Sequence, residues 1–217
     1  MSHPRHPENV ADYQGRILTQ DLTRRCLECH TTDARSAREQ TGPTAKDRSI
    51  GCEKCHGPGG HHKAAVEGGL PDLGIGAGLK KMSAAASIDL CGQCHSSRGN
   101  PPRRDNPDSV RFQGDTLKWS RCYTESGEGL SCVTCHEPHH NASTDAAVHD
   151  VKCLSCHSED SKSPGLVTGA VASGNRTRKA CPVNPKSDCV SCHMPVSRKT
   201  SFPHSRFTDH YIRIHRD

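Results

Sequence analysis

The pentapeptide C-x-x-C-H occurs six times in this 217-residue chain: Cys26-Cys29-His30, Cys52-Cys55-His56, Cys91-Cys94-His95, Cys132-Cys135-His136, Cys153-Cys156-His157 and Cys189-Cys192-His193. Two thiols about one helical turn apart can add to the two vinyl groups on neighbouring pyrroles of one haem. The adjacent His then falls under the ring and supplies an imidazole nitrogen to the iron. Random placement of 14 Cys and 16 His along the chain would produce about 0.07 such pentapeptides, so six cannot be coincidence. A zinc site needs a second Cys pair at a matched distance and has no use for a His after every pair. A disulfide framework has no use for that His either. The expected cofactor is therefore haem c, six copies held covalently by the twelve motif cysteines. The proximal iron ligands are then His30, His56, His95, His136, His157 and His193.

Composition points the same way. Hydrophobic residues make up 31% and aromatics 3%, and the mean hydropathy is -0.77. So few large apolar side chains cannot offset the entropy of ordering a chain of this length. The apolar core is expected to be mostly porphyrin, wrapped in thin polypeptide. The 19 Gly and 14 Pro disfavour long helices and long strands. The expected fold is a multihaem cytochrome c, mostly irregular, with short α-helices, little or no β-structure and a haem-dominated core. Motif starts at 26, 52, 91, 132, 153 and 189 are too irregular for a tandem repeat, so residues 1–217 read as a single domain. Short helices are expected where Thr23 leads into Cys26, where Ser87 leads into Cys91, and over His61–Glu67 before Gly68-Gly69. Asn100-Pro-Pro, Glu125–Gly129 and Ser161–Gly165 read as loops.

No stretch approaches the 18 apolar residues of a membrane span, and Met1–Asp12 lacks the apolar run of an export signal. Haem is attached to cysteines outside the cytoplasm. The chain is therefore expected in the periplasm or outside the cell, as a mature product or an excised domain. Its formal charge of +5 does not indicate nucleic acid. Two propionates per haem bring the total to about -1 oxidised and about -7 reduced, and many basic side chains should pair with them. Aromatic stacking platforms for bases are also lacking.

Twelve cysteines are consumed by the motifs, leaving Cys122 and Cys181. In an oxidising compartment, two spare thiols are expected to form a disulfide. Ten histidines lie outside the motifs: His3, His6, His61, His62, His139, His140, His149, His204, His210 and His215. They outnumber the six irons, so each iron can take a second imidazole, which leaves no position for substrate. Met194 follows His193 directly and cannot reach over its own haem, and Met82 sits in a polar, small-residue stretch.

Gly51-Cys-Glu-Lys-Cys-His-Gly-Pro-Gly-Gly-His-His resembles the second-haem signature of the tetrahaem cytochromes that accept electrons from hydroxylamine oxidoreductase. Leu130-Ser-Cys-Val-Thr-Cys-His-Glu-Pro-His, Asp188-Cys-Val-Ser-Cys-His-Met-Pro and the stretch from Phe202 to His215 resemble a broader group of multihaem cytochromes, often fused to tetratricopeptide repeats. The resemblance covers roughly residues 20 to 217. It implies a helix-poor fold, haems in stacked and perpendicular pairs, and mainly bis-His ligation. Carried over position by position, it marks His62, His139, His204 and His210 as distal ligands. His149, four residues before Cys153, is a further candidate, and His6 or His3 could cap a haem if the N-terminal arm folds back. His61, His140 and His215 read as solvated or propionate-bonded imidazoles. Thr31–Thr44 contains no His where relatives often place one, so the first haem has no assigned partner. The chain stops at Asp217, so it is either a haem module or a stand-alone carrier.

These observations lead to electron transfer along a row of haems, in an electron-transfer protein rather than an enzyme. Its partners would be redox proteins or further copies of itself, with assembly into an oligomer or filament open. The alternative is a haem enzyme with one five-coordinate iron acting on a small nitrogen-oxide or hydroxylamine-type substrate. Against it, no C-x-x-C-K variant is present.

Overall fold

The computed structural model describes residues 19–33, 49–71, 74–76, 78–126, 129–158, 181–184, 186–197 and 206–215. The chain divides into one unit of Asn9–Met82 and another of Met1–Glu8 with Ser83–Asp217.

In the Asn9–Met82 unit, α1 (Gln20–His30) starts a turn before Thr23 and carries the first motif on its final turns. The fully buried Thr31 finishes it, donating its hydroxyl to Leu27 O at 2.7 Å. Thr32 then bridges towards the second motif: its Oγ1 donates to Ser49 O (2.8 Å) and accepts from Gly51 N–H (2.7 Å). The second motif lies on the single turn of α2 (Glu53–His56). Lys54 ties that turn to α1 by donating to Glu28 O at 3.0 Å. Glu53 Oε1 accepts from Gly59 N–H at 2.6 Å and positions α3 (Gly60–Glu67), which ends at Gly68-Gly69 as its sequence indicates. Gly76, at φ +59, passes so close to His56 that a Cβ there would sit 2.6 Å from the ring Nδ1.

In the second unit, Ser83 caps α4 (Ala84–His95) by accepting from Ala86 N–H at 3.2 Å. The helix therefore begins a full turn before Ser87, because a serine hydroxyl and three alanines favour nucleation there. Asn106 caps a 3₁₀ turn over Pro107–Arg111, followed by α5 (Gln113–Leu117) packed on α4, and by α6 (Arg121–Glu125). The turn of α7 (Cys132–Cys135) is closed by a reciprocal Ser131–Thr134 capping box. Asp145 caps α8 (Ala146–His157) through Ala147 N–H at 3.0 Å. After α9 (Cys189–His193), two-residue strands β1 (Val196–Ser197) and β2 (Phe207–Thr208) pair antiparallel, Val196 opposite Thr208. Asn100-Pro-Pro is irregular, and Ser161–Gly165 lies outside the described residues.

Short helices with very little strand are the fold class that the composition indicates. Among the described residues the buried apolar core is Ile88, Leu117 and Tyr123, with Leu130, Cys132 and Ile212 against it. Val66, Leu70, Val151, Val183 and Ile214 are each more than half exposed. No helix among the described residues is long and apolar enough to cross a membrane.

Candidate haem-binding site

Helical geometry arranges each motif. Cysteines at i and i+3 share a face, and the His at i+4 lies one turn above the first of them. The first, third and fifth motifs end the longer helices α1, α4 and α8, while the second, fourth and sixth are single turns α2, α7 and α9. His30, His95 and His157 are exposed, whereas His56, His136 and His193 are half-buried.

The helices bearing the third to sixth motifs are neighbours in sequence order: α4 packs on α7, α7 on α8, and α8 on α9. Their thiols meet at each step. Cys91 and Cys132 share a hydrogen bond, which lowers the Cys91 thiol to about 7 and, together with burial, pushes Cys132 up. Burial and the adjacent Cys156 thiol raise Cys135, although Lys152 opposes them. Burial first, and then Cys189, raises Cys153 to about 12. These values belong to the thiols before they are consumed as thioethers. Asp150, buried in α8, accepts from Val190 N–H at 3.3 Å and so caps α9 from across the contact. The residue in the capping position itself, Asp188, is left-handed (φ 59) and makes no side-chain cap.

Two proximal imidazoles are oriented by an oxygen at Nδ1. His95 donates to Gln113 Oε1 at 3.2 Å, and His193 donates to the Arg213 carbonyl at 3.0 Å. An acceptor at Nδ1 places the proton there and leaves Nε2 bare for a metal.

The distal candidates fall into different surroundings. His210 is oriented in the same way, its Nδ1–H donating to Thr208 O at 2.9 Å, and burial holds its pKa down despite that bond. Burial, then His149 and His95, lowers His136. The His136 ring lies 5.3 Å from His149 at 60° and 6.1 Å from His210 at 31°, so these three come together. His149 donates from Nε2 to Ser143 O at 3.1 Å. His139 is exposed and pairs through Nδ1 with Glu137 at 2.8 Å. His62 is half-buried on α3, in the other unit. His6 and His204 lie outside the described residues.

Two expectations change. Cys122 and Cys181 are both free thiols, so the expected bridge is not formed. Cys122 sits in α6, where burial raises its pKa and where Cys135 and Cys156 add to the rise. Cys181 lies in a turn accepting from Asn184 N–H at 3.5 Å. His215, read from the sequence as solvated or propionate-bonded, has its Nε2 buried without a hydrogen-bond partner among the described residues, which removes the solvated alternative. No sequence pattern marks His215, because its burial follows from docking of the tail. Buried Ser120 holds that tail, accepting from Ile212 N–H (2.8 Å) and donating to His210 O (3.1 Å), while Arg213 pairs with Asp209 at 2.7 Å. Arg104 stacks on Trp119 and on Tyr211 of the same tail.

The donor set fits haem c: paired thiols beside an imidazole, Nδ1 atoms tied to oxygens, and a buried ring nitrogen without a partner. Bound haem would supply a one-electron carrier at each motif, while the chain attaches and orients it.

Residues 3–57 match the family model described as cytochrome c554 and c-prime. The dissimilatory sulfite reductase MccA of Wolinella succinogenes is 27% identical over 179 residues, which cover 68% of this chain. The aligned stretch covers 22% of that relative, so this chain corresponds to a minor part of it. No solved structure matches the chain. The match to a protein named as a dissimilatory sulfite reductase overturns the expectation that the chain is not an enzyme. With its attachment motifs and both matches in view, the chain is similar to multihaem c-type cytochromes.

Proposed function

We propose that the protein conducts electrons along a row of six covalently attached haems, with residues 1–217 acting as one cytochrome domain. The observation supporting this reading is the succession α4, α7, α8, α9, in which the helices bearing the third to sixth motifs each touch the next. Haems attached to touching helices lie close enough for electrons to pass directly between macrocycles. Second axial imidazoles would be drawn from His6, His62, His139, His149, His204 and His210, with His215 a seventh candidate through its buried Nε2. Two imidazoles on iron favour low-spin electron transfer. The work is done in the periplasm or outside the cell, with redox proteins or further copies of the chain as partners. Mass spectrometry of denatured, fully matured protein should show six haems retained covalently. Five or fewer would refute the reading of the motifs.

A second reading is favoured by the similarity to a sulfite reductase. Here one iron keeps an open position, the other haems feed it, and sulfite is the substrate. Sulfite-dependent oxidation of reduced viologen by the purified protein would establish this activity.

A further inference from the structure

We infer that His136 and His210 are the two axial ligands of one iron, the iron of the haem held by Cys132 and Cys135. The inference rests on the haem-attachment reading of the fourth motif and adds the identity of the trans ligand.

Three observations carry it. The first is span. A metal–imidazole nitrogen bond of about 2 Å on each side, with roughly 1.1 Å from ring nitrogen to ring centre, sets trans imidazole centroids about 6 Å apart. His136 and His210 stand 6.1 Å apart with their planes inclined by 31°. The second is the available nitrogen. His210 Nδ1–H donates to Thr208 O at 2.9 Å, leaving Nε2 as the lone-pair donor. The third is rigidity. The His210 backbone is fixed from α5–α6 by the buried Ser120 hydroxyl, which bonds His210 O and Ile212 N–H.

His149, the competing imidazole, fails on the first two counts. Its ring is 5.3 Å from His136 and tilted by 60°, shorter than a span through iron. Its Nε2–H is given to Ser143 O at 3.1 Å, leaving only the Nδ1 beside its own Cβ. His149 thus lies beside the fourth-haem site rather than across it.

The test counts carbon-monoxide-reactive haems per protein in single and double variants. His210→Ala is expected to add one reactive haem to the unmodified protein and none to a His136→Ala background, because both changes strike one iron. The same holds if His136→Ala abolishes attachment of that haem, since the iron His210 would have left open is then gone. His149→Ala in the His136→Ala background is expected to behave as it does alone. If His210→Ala adds one reactive haem in the His136→Ala background but none in a His95→Ala background, the partner is His95 and the proposal is overturned. If neither background suppresses the effect, it is likewise overturned. Should the variants fail to mature, an iron anomalous map of the unmodified haem-loaded protein decides. Iron bonded to both Nε2 atoms supports the pairing, and any other trans ligand to His136 removes it. Absence of covalent haem at Cys132 and Cys135 by peptide mass would instead refute the attachment reading, a distinguishable outcome.

Discussion

Ser120 shows how much can depend on one small side chain. Its hydroxyl is fully buried and serves two backbone groups of the C-terminal segment, 90 and 92 residues away. Ser120→Ala leaves the Ile212 N–H without its acceptor, at a cost of about 1–3 kcal/mol. A fall in the denaturation midpoint of the haem-loaded protein should accompany a larger carbon-monoxide response, as His210 loses its anchor. An unchanged midpoint would show that the tail is held elsewhere.

At the scale of elements, motifs on three-turn helices alternate with motifs on single turns. The longer helices contain their own caps: Ser83 for α4 and Asp145 for α8. A single turn cannot sustain itself, since helix nucleation fixes several residues for one hydrogen bond. The short helices α7 and α9 are accordingly stabilised from outside their hydrogen-bond ladders, α7 by the Ser131–Thr134 box and α9 by Asp150 reaching from α8. Asp150→Ala should destabilise the loaded protein by about 1–2 kcal/mol, the usual cost of a lost cap. It should also lower the yield of haem attached at Cys189 and Cys192, measured by peptide mass. An unaltered yield and melting temperature would mean that α9 folds independently of α8.

For the whole molecule, the question is whether every iron is fully ligated. In a conduit with two imidazoles per iron, the reduced protein shows little spectral change under carbon monoxide and the oxidised protein little high-spin signal. A reductase keeps one vacancy, so one carbon-monoxide-reactive haem in the unmodified protein, together with sulfite-dependent turnover, would establish the enzyme reading. The first haem, for which Thr31–Thr44 offers no histidine, is where that vacancy is expected. Reactivity without turnover would leave an open iron that does not use sulfite.

Attachment chemistry is written locally, and so the sequence alone determined it: two thiols and an imidazole within five consecutive residues meet one haem whatever the rest of the chain does. The scarcity of apolar side chains likewise determined short helices and a minimal protein core. Second ligands are another matter, because the partner of an iron comes from anywhere in the chain, and only tertiary contacts bring it near. The approach of His210 to His136 depends on Ser120 gripping the tail, and no pattern around residue 210 encodes the register of that grip. The same docking buries His215 Nε2, which its polar neighbours in sequence would leave in water. Cys122 and Cys181 make the converse point: two spare thiols suggest a bridge by counting, but a disulfide requires their α-carbons within about 7 Å. The fold decides that distance, and it leaves both as thiols.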